Sequence, residues 1–180
     1  MWGGSINYRQ QKVVKSQMDD PDFKEDFEKL WSIAGRDSKR WNGLSGVLKK
    51  LLNREDEERN VLASRKEFQK AVQQSSGITI KHAEIMIHQL GDLGILEDVW
   101  SSEEAIGFRY KDPIMRECML DAGCALELYT YYEKVADDRF TDVRVGVHID
   151  WDGDMSGSEL DVENEIDVLA LQGYIPVFAS

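Results

Sequence analysis

The chain has 180 residues, 42% apolar and 31% charged, a composition that suits a soluble globular protein of one domain or two small ones with a real core. No run approaches the roughly 18 apolar residues of a membrane span, and "MWGGSINYRQQKVV" lacks the apolar stretch of a secretory signal, so neither membrane insertion nor export is expected. The net charge of −12 is uneven: residues 1–80 hold 15 Lys and Arg against 12 Asp and Glu, whereas residues 81–180 hold 7 against 22. The acidic half repels nucleic acid at long range, which argues against a passive nucleic-acid binder, while it supplies carboxylates for hard cations.

Residues 1–11 read as a tail. Asp20-Pro21 opens a helix whose Phe23, Phe27, Leu30 and Trp31 form an apolar stripe, with Gly35 as the glycine just past its end. A short helix over 43–52 follows, then the charged "NREDEERN". A third helix is predicted for "VLASRKEFQKAV", with Val61, Leu62, Phe68 and Val72 as its apolar contacts. Thr79 caps a helix in which Met86, Leu90 and Leu93 share one face, and Gly91 and Gly94 break it. "ILEDVWSSEEAIGFRYKD" reads as two strands around a loop at 101–104.

Helix, helix, hairpin is the winged-helix order, which serves either as a nucleic-acid reader or as a small packing module. The second helix offers only Lys81, His82 and His88 to phosphates, which is thin for recognition. Trp31 and Trp41, around the basic "RDSKRW", either stack on bases or belong to the core.

Asp112-Pro113 starts a helix of about six turns. Cys118 and Cys124, six residues apart on it, do not share neighbouring turns of one face, so no disulfide is expected and a reducing cytosol fits. Glu127 is the only charged residue from Ala122 to Tyr132, with no Lys or Arg three or four residues away. A carboxylate in such a setting needs a hydrogen-bond partner, a raised pKa, a metal, or a place on a solvated edge.

Val143, Val145, Val147 and Ile149 then alternate as a half-buried strand. "DWDGDMSGSELD" places Asp150, Asp152, Asp154 and Asp161 at calcium-loop spacing, but Met155 stands where such a loop needs glycine, and a solvated hairpin loop accounts for it better. The last two strands close around Gln172-Gly173. That turn pairs Asp167 with Phe178 and Glu165 with Ser180, placing all four on one face. Asp167 and Ser180 become diagonal neighbours, about 7–8 Å apart at Cα, a separation that suits two groups flanking one cation. His82, His88 and His148 form no zinc set.

"GCALELYTYY", "VRVGVHIDW" and "VENEIDVLALQGYIPVFAS" resemble successive blocks of the PD-(D/E)XK nuclease domain in CRISPR ancillary nucleases of the Can/Card kind. Leu126-Glu127 match that family's helix motif. Asn164, Glu165, Ile166, Asp167 and Val168 match its strand motif in full, and Ser180 falls at the first position of (Glu/Ser)-x-Lys. The resemblance implies phosphodiester hydrolysis of DNA or RNA, with Glu127 and Asp167 holding Mg²⁺ or Mn²⁺ and Ser180 as a further site residue. It also implies a homodimer activated by cyclic oligoadenylate through a sensing domain. No repeated βαβ units that would form such a domain are present, and the sequence stops before the lysine, so this 180-residue species is expected to be catalytically crippled.

The expected architecture is α+β: a tail at 1–11, a helical connecting region with a winged-helix-like segment at 12–112, and a partial restriction-endonuclease-like domain, a helix plus a mixed β-sheet, at 113–180. The rival is a non-enzymatic winged-helix or dimerisation adaptor.

Overall fold

The computed structural model describes residues 6–7, 18–150 and 163–179. Among these are six α-helices, one 3₁₀ turn and seven strands in two antiparallel sheets, an α+β architecture. All strand pairs are antiparallel, in place of the mixed sheet expected. The described connections between consecutive paired strands, at 102–104 and 173–174, are short turns, which permit only antiparallel neighbours. The chain divides into two compact units, residues 16–125 and residues 1–15 with 126–180. The division falls within the helix Ala122–Val135.

In the unit 16–125, α1 (Pro21–Ala34) starts where Asp20 accepts the Asp22 N–H at 2.9 Å and Pro21 supplies a preset first turn. Phe27, Leu30 and Ala34 are its buried face. Gly35 ends it with φ −71, so it is not a left-handed cap. It is glycine because a Cβ there would meet Trp31 Cε2 at 2.9 Å. Asp37 caps α2 (Ser38–Lys50), which begins five residues before the predicted start and buries Trp41. Trp41 is therefore core, while Trp31 is half-buried and stacked on Phe27.

The third predicted helix is two elements. Asn60–Ser64 is strand β2, and only Arg65–Gln73 is helical (α3). Ser64 and Glu67 form a reciprocal capping box that starts the helix there, and removing the Ser64 hydroxyl costs about 1 kcal/mol. Val61, Phe68 and Val72 are buried as anticipated; Leu62, on the other face of β2, is exposed.

Thr79 caps α4 (Ile80–Asp92). Gly91 lies inside this helix, against Val99, and Gly94 with φ +72 makes the exit. β3 (Leu96–Ser101) and β4 (Ala105–Tyr110) complete a sheet of order β2-β4-β3. Phe68, Ile87, Leu90, Ile106 and Phe108 are among the side chains of this unit's core, each contributing about 1.5–3 kcal/mol on burial.

The predicted six-turn helix is broken. α5 (Pro113–Leu120) and α6 (Ala122–Val135) meet at Asp121, which is extended and whose Oδ1 accepts the Gly123 N–H at 3.0 Å. The break folds Cys124 back on Cys118, so that two buried free thiols lie 3.4 Å apart at Sγ. On a continuous helix they would not meet. The contact with Cys124 and burial both push the Cys118 thiol up.

The other unit carries a sheet of order β1-β5-β6-β7, formed by Ile6–Asn7, Asp142–Asp150, Glu163–Gln172 and Ile175–Ala179. β1 comes from the segment read as a tail and pairs with the end of β5. Val143, Val145, Val147, Val168 and Ala170 are buried on one face of the sheet. Arg144, Leu169 and Leu171 are half-buried on the other.

Candidate functional site

Glu127 lies on α6. That helix buries Cys124, Ala125, Leu128 and Tyr131, spaced at one, three and three, and Glu127 is half-buried on the flank of this stripe. Asp167 lies on β6, which is paired on both sides, with β5 and with β7. Both carboxylates belong to the unit 126–180.

The β6–β7 register differs from the sequence reading. Leu171 pairs with Pro176 and Leu169 with Phe178, and the turn is Gly173-Tyr174 rather than Gln172-Gly173. Gly173 has φ +62 and Tyr174 does not have positive φ, so glycine takes the first turn position, as a type II′ hairpin requires. The correction moves β7 by two residues against β6. A slip of one would reverse the faces; a slip of two preserves them. Asp167 and Phe178 therefore still share a face, as diagonal neighbours instead of direct partners. Ser180 and the side chain of Glu165 lie outside the described residues.

Two features near Asp167 were not singled out from the sequence. Gly146, in the middle of β5, has φ +62. The ladder pairs Val145 with Val168 and Val147 with Ile166, which leaves Gly146 opposite Asp167. A lone glycine interrupting the alternation of "VRVGVHID" was the available signal. Arg144 pairs with Leu169 and so is a diagonal neighbour of Asp167 on the half-exposed face; its Nε donates to Asp142 Oδ2 at 2.9 Å. Asp167 thus sits on the half-buried sheet face with a cation one diagonal away, not among the valines.

Among the described residues no group of three or more His, Cys, Asp or Glu side chains is placed to hold a metal. Asp152, Asp154 and Asp161 of the acidic loop lie outside the described residues, and strands flank that loop as predicted. His88 and His82 are engaged elsewhere, with Ser101 Oγ at 3.0 Å and Thr79 Oγ1 at 2.9 Å. Among the described residues no helix is long and apolar enough to cross a membrane.

No family model and no curated protein matches the chain. Among solved structures it is similar to protein VC1899 from Vibrio cholerae, with a TM-score of 0.54 and 15% identity. The match covers 97% of this chain and 39% of that one, so this chain spans well under half the length of that protein. The likeness is one of fold.

Proposed function

We propose that residues 126–180 form part of a metal-dependent phosphodiesterase site of the PD-(D/E)XK kind, acting on DNA or RNA. One observation carries the reading. The Asn-Glu-Ile-Asp-Val block lies on an interior strand of an antiparallel sheet, in the same unit as Glu127, and Asp167 is on the half-buried face of that sheet, opposite the buried valines. The donors suit the cation: Mg²⁺ and Mn²⁺ take oxygen ligands, and Mg²⁺ in particular binds through one or two carboxylates while keeping several waters. Glu127 and Asp167 would hold it, and the metal would supply an activated water and charge neutralisation at the phosphate. Arg144, diagonal to Asp167, is suited to contact a substrate phosphate oxygen.

In the unit 16–125, the order α2-β2-α3-α4-β3-β4 with sheet order β2-β4-β3 supports a winged-helix reading of the connecting region. Activation by cyclic oligoadenylate through a separate sensing domain, a homodimer and a cytoplasmic setting complete the proposal. The adaptor reading has its own support in Tyr174, Ile175 and Phe178, exposed large apolar groups grouped on one hairpin.

Thermal melting with and without Mn²⁺ separates the two. A site built on Glu127 and Asp167 raises Tm in Mn²⁺, and Asp167→Ala abolishes the rise. An equal rise in the variant, or none in either protein, contradicts the nuclease reading. Binding of labelled DNA and RNA in the same buffers, compared between the two proteins, assigns the substrate.

A further inference from the structure

A groove of about 420 Å³ opens in the unit 16–125, between the end of α1, the start of α2 and the length of α4. Its apolar wall is Ile33, Ile85, Met86 and Leu93, and Ile85 is 41% exposed although it sits on a helix whose other face is core. Arg36, Arg40 and His82 supply its donors. Arg36, and the neighbouring exposed Lys39 and Lys81, make no ion pair among the described residues. His82 directs Nδ1 to Thr79 Oγ1, which leaves Nε2 for another partner.

Two carboxylates also line the groove. Asp37 is committed twice, capping α2 through the Arg40 N–H at 3.0 Å and pairing with Arg40 Nε at 3.3 Å. Asp92 is exposed at the far end of α4. Arg36 and Arg40 thus match Asp37 and Asp92 in number along the groove, and the adjoining Lys39 and Lys81 supply the cationic excess in a chain of net charge −12.

We propose that this groove binds a nucleoside phosphate unit, with the ring on Ile33, Ile85 and Met86 and the phosphate on Arg36, Arg40 and His82. The proposal rests on the nuclease reading for its choice of a nucleotide over another amphipathic anion. Residues 81–180 carry the acidic excess that repels a nucleic-acid strand, and Arg36 and Arg40, from the other half of the sequence, give such a strand a cationic hold. The volume suits one ring with its phosphate rather than a folded partner. The same chemistry is offered by a free mononucleotide and by one residue of a single strand.

The test is fluorescence anisotropy of labelled oligo-uridine and oligo-thymidine in EDTA, where metal-site chemistry is silent. Arg36→Glu combined with Arg40→Glu weakens binding about tenfold or more and lowers the salt slope by about 0.7 for each phosphate no longer neutralised. Ile85→Ser weakens binding while keeping the slope. All substituted groove positions are solvent-exposed, and circular dichroism checks that the variants fold. Competition by AMP at stoichiometric excess identifies a mononucleotide site; competition by oligonucleotide alone identifies a strand site.

Unchanged binding in the Arg36/Arg40 variant overturns the groove and leaves the Asp167 site untouched. So does an absence of binding by the unsubstituted protein. Displacement by poly-glutamate as effective as by oligonucleotide overturns the nucleotide assignment.

Discussion

Gly146, at φ +62, stands opposite Asp167 in the β5–β6 ladder, between the pairs Val145–Val168 and Val147–Ile166. An added Cβ at Gly146 would meet no heavy atom within 4 Å. The cost of a side chain there is therefore backbone strain alone, about 1–2 kcal/mol for a left-handed L-residue. Gly146→Ala is expected to lower the unfolding free energy by that amount, read as a lower urea midpoint at an unchanged m-value. A neutral result would mean that the left-handed turn in β5 relaxes freely and does not shape the strand facing Asp167.

The Arg116 guanidinium donates to Glu55 Oε1 at 2.6 Å, with side-chain exposures of 23% and 9%. The bond holds Arg116 protonated, above its ordinary range, while Tyr110 packs beneath the guanidinium at 5.8 Å. Removing Glu55 leaves a largely desolvated cation with only Glu117 for company. Glu55→Ala is expected to cost about 3 kcal/mol, and Glu55→Ala with Arg116→Met substantially less than the sum of the single changes. Chemical denaturation of the four proteins of this cycle measures the coupling.

Asp137 is half-buried, and its carboxyl is held down at about 2, from an ordinary 3.8, first by the Arg139 side chain and then by the Arg139 N–H. A depressed carboxylate contributes stability that is complete above the unfolded pKa and fades as pH falls toward the folded one. The 137–140 turn should therefore loosen between about pH 4 and pH 2. NMR titration should place the Asp137 carboxyl near 2 in the native protein. Arg139→Ala should move it up toward 3.8, and a titration that ignores the substitution would refute the pairing.

Much of the framework follows from short-range chemistry. Asp20-Pro21, Asp112-Pro113 and Thr79 each place a helix start correctly, because an N-cap and a preset φ act within one turn. The alternation of Val143, Val145 and Val147 likewise gives a strand with one buried face. Failures occur where two local signals compete. "VLASRKEF" reads as one helix by apolar spacing, yet Ser64 and Glu67 form a capping box that only a start at Arg65 can use, and β4 recruits the preceding residues into a sheet. Asp121 breaks a helix that composition would continue, and this brings Cys118 to Cys124. Gln172-Gly173 looks like the turn until the twist of the hairpin selects glycine for the first turn position. The Arg36–Arg40–His82 groove was illegible because its walls come from three helices whose packing no local pattern encodes.

The central proposal is that Glu127 and Asp167 hold one divalent cation between them. Titration calorimetry with Mn²⁺ tests it most directly, comparing the unsubstituted chain with Glu127→Ala, Asp167→Ala and Asn164→Ala. A shared site predicts one Mn²⁺ per chain, lost in both carboxylate variants and kept in Asn164→Ala. Equal Mn²⁺ binding by all four proteins would contradict the proposal.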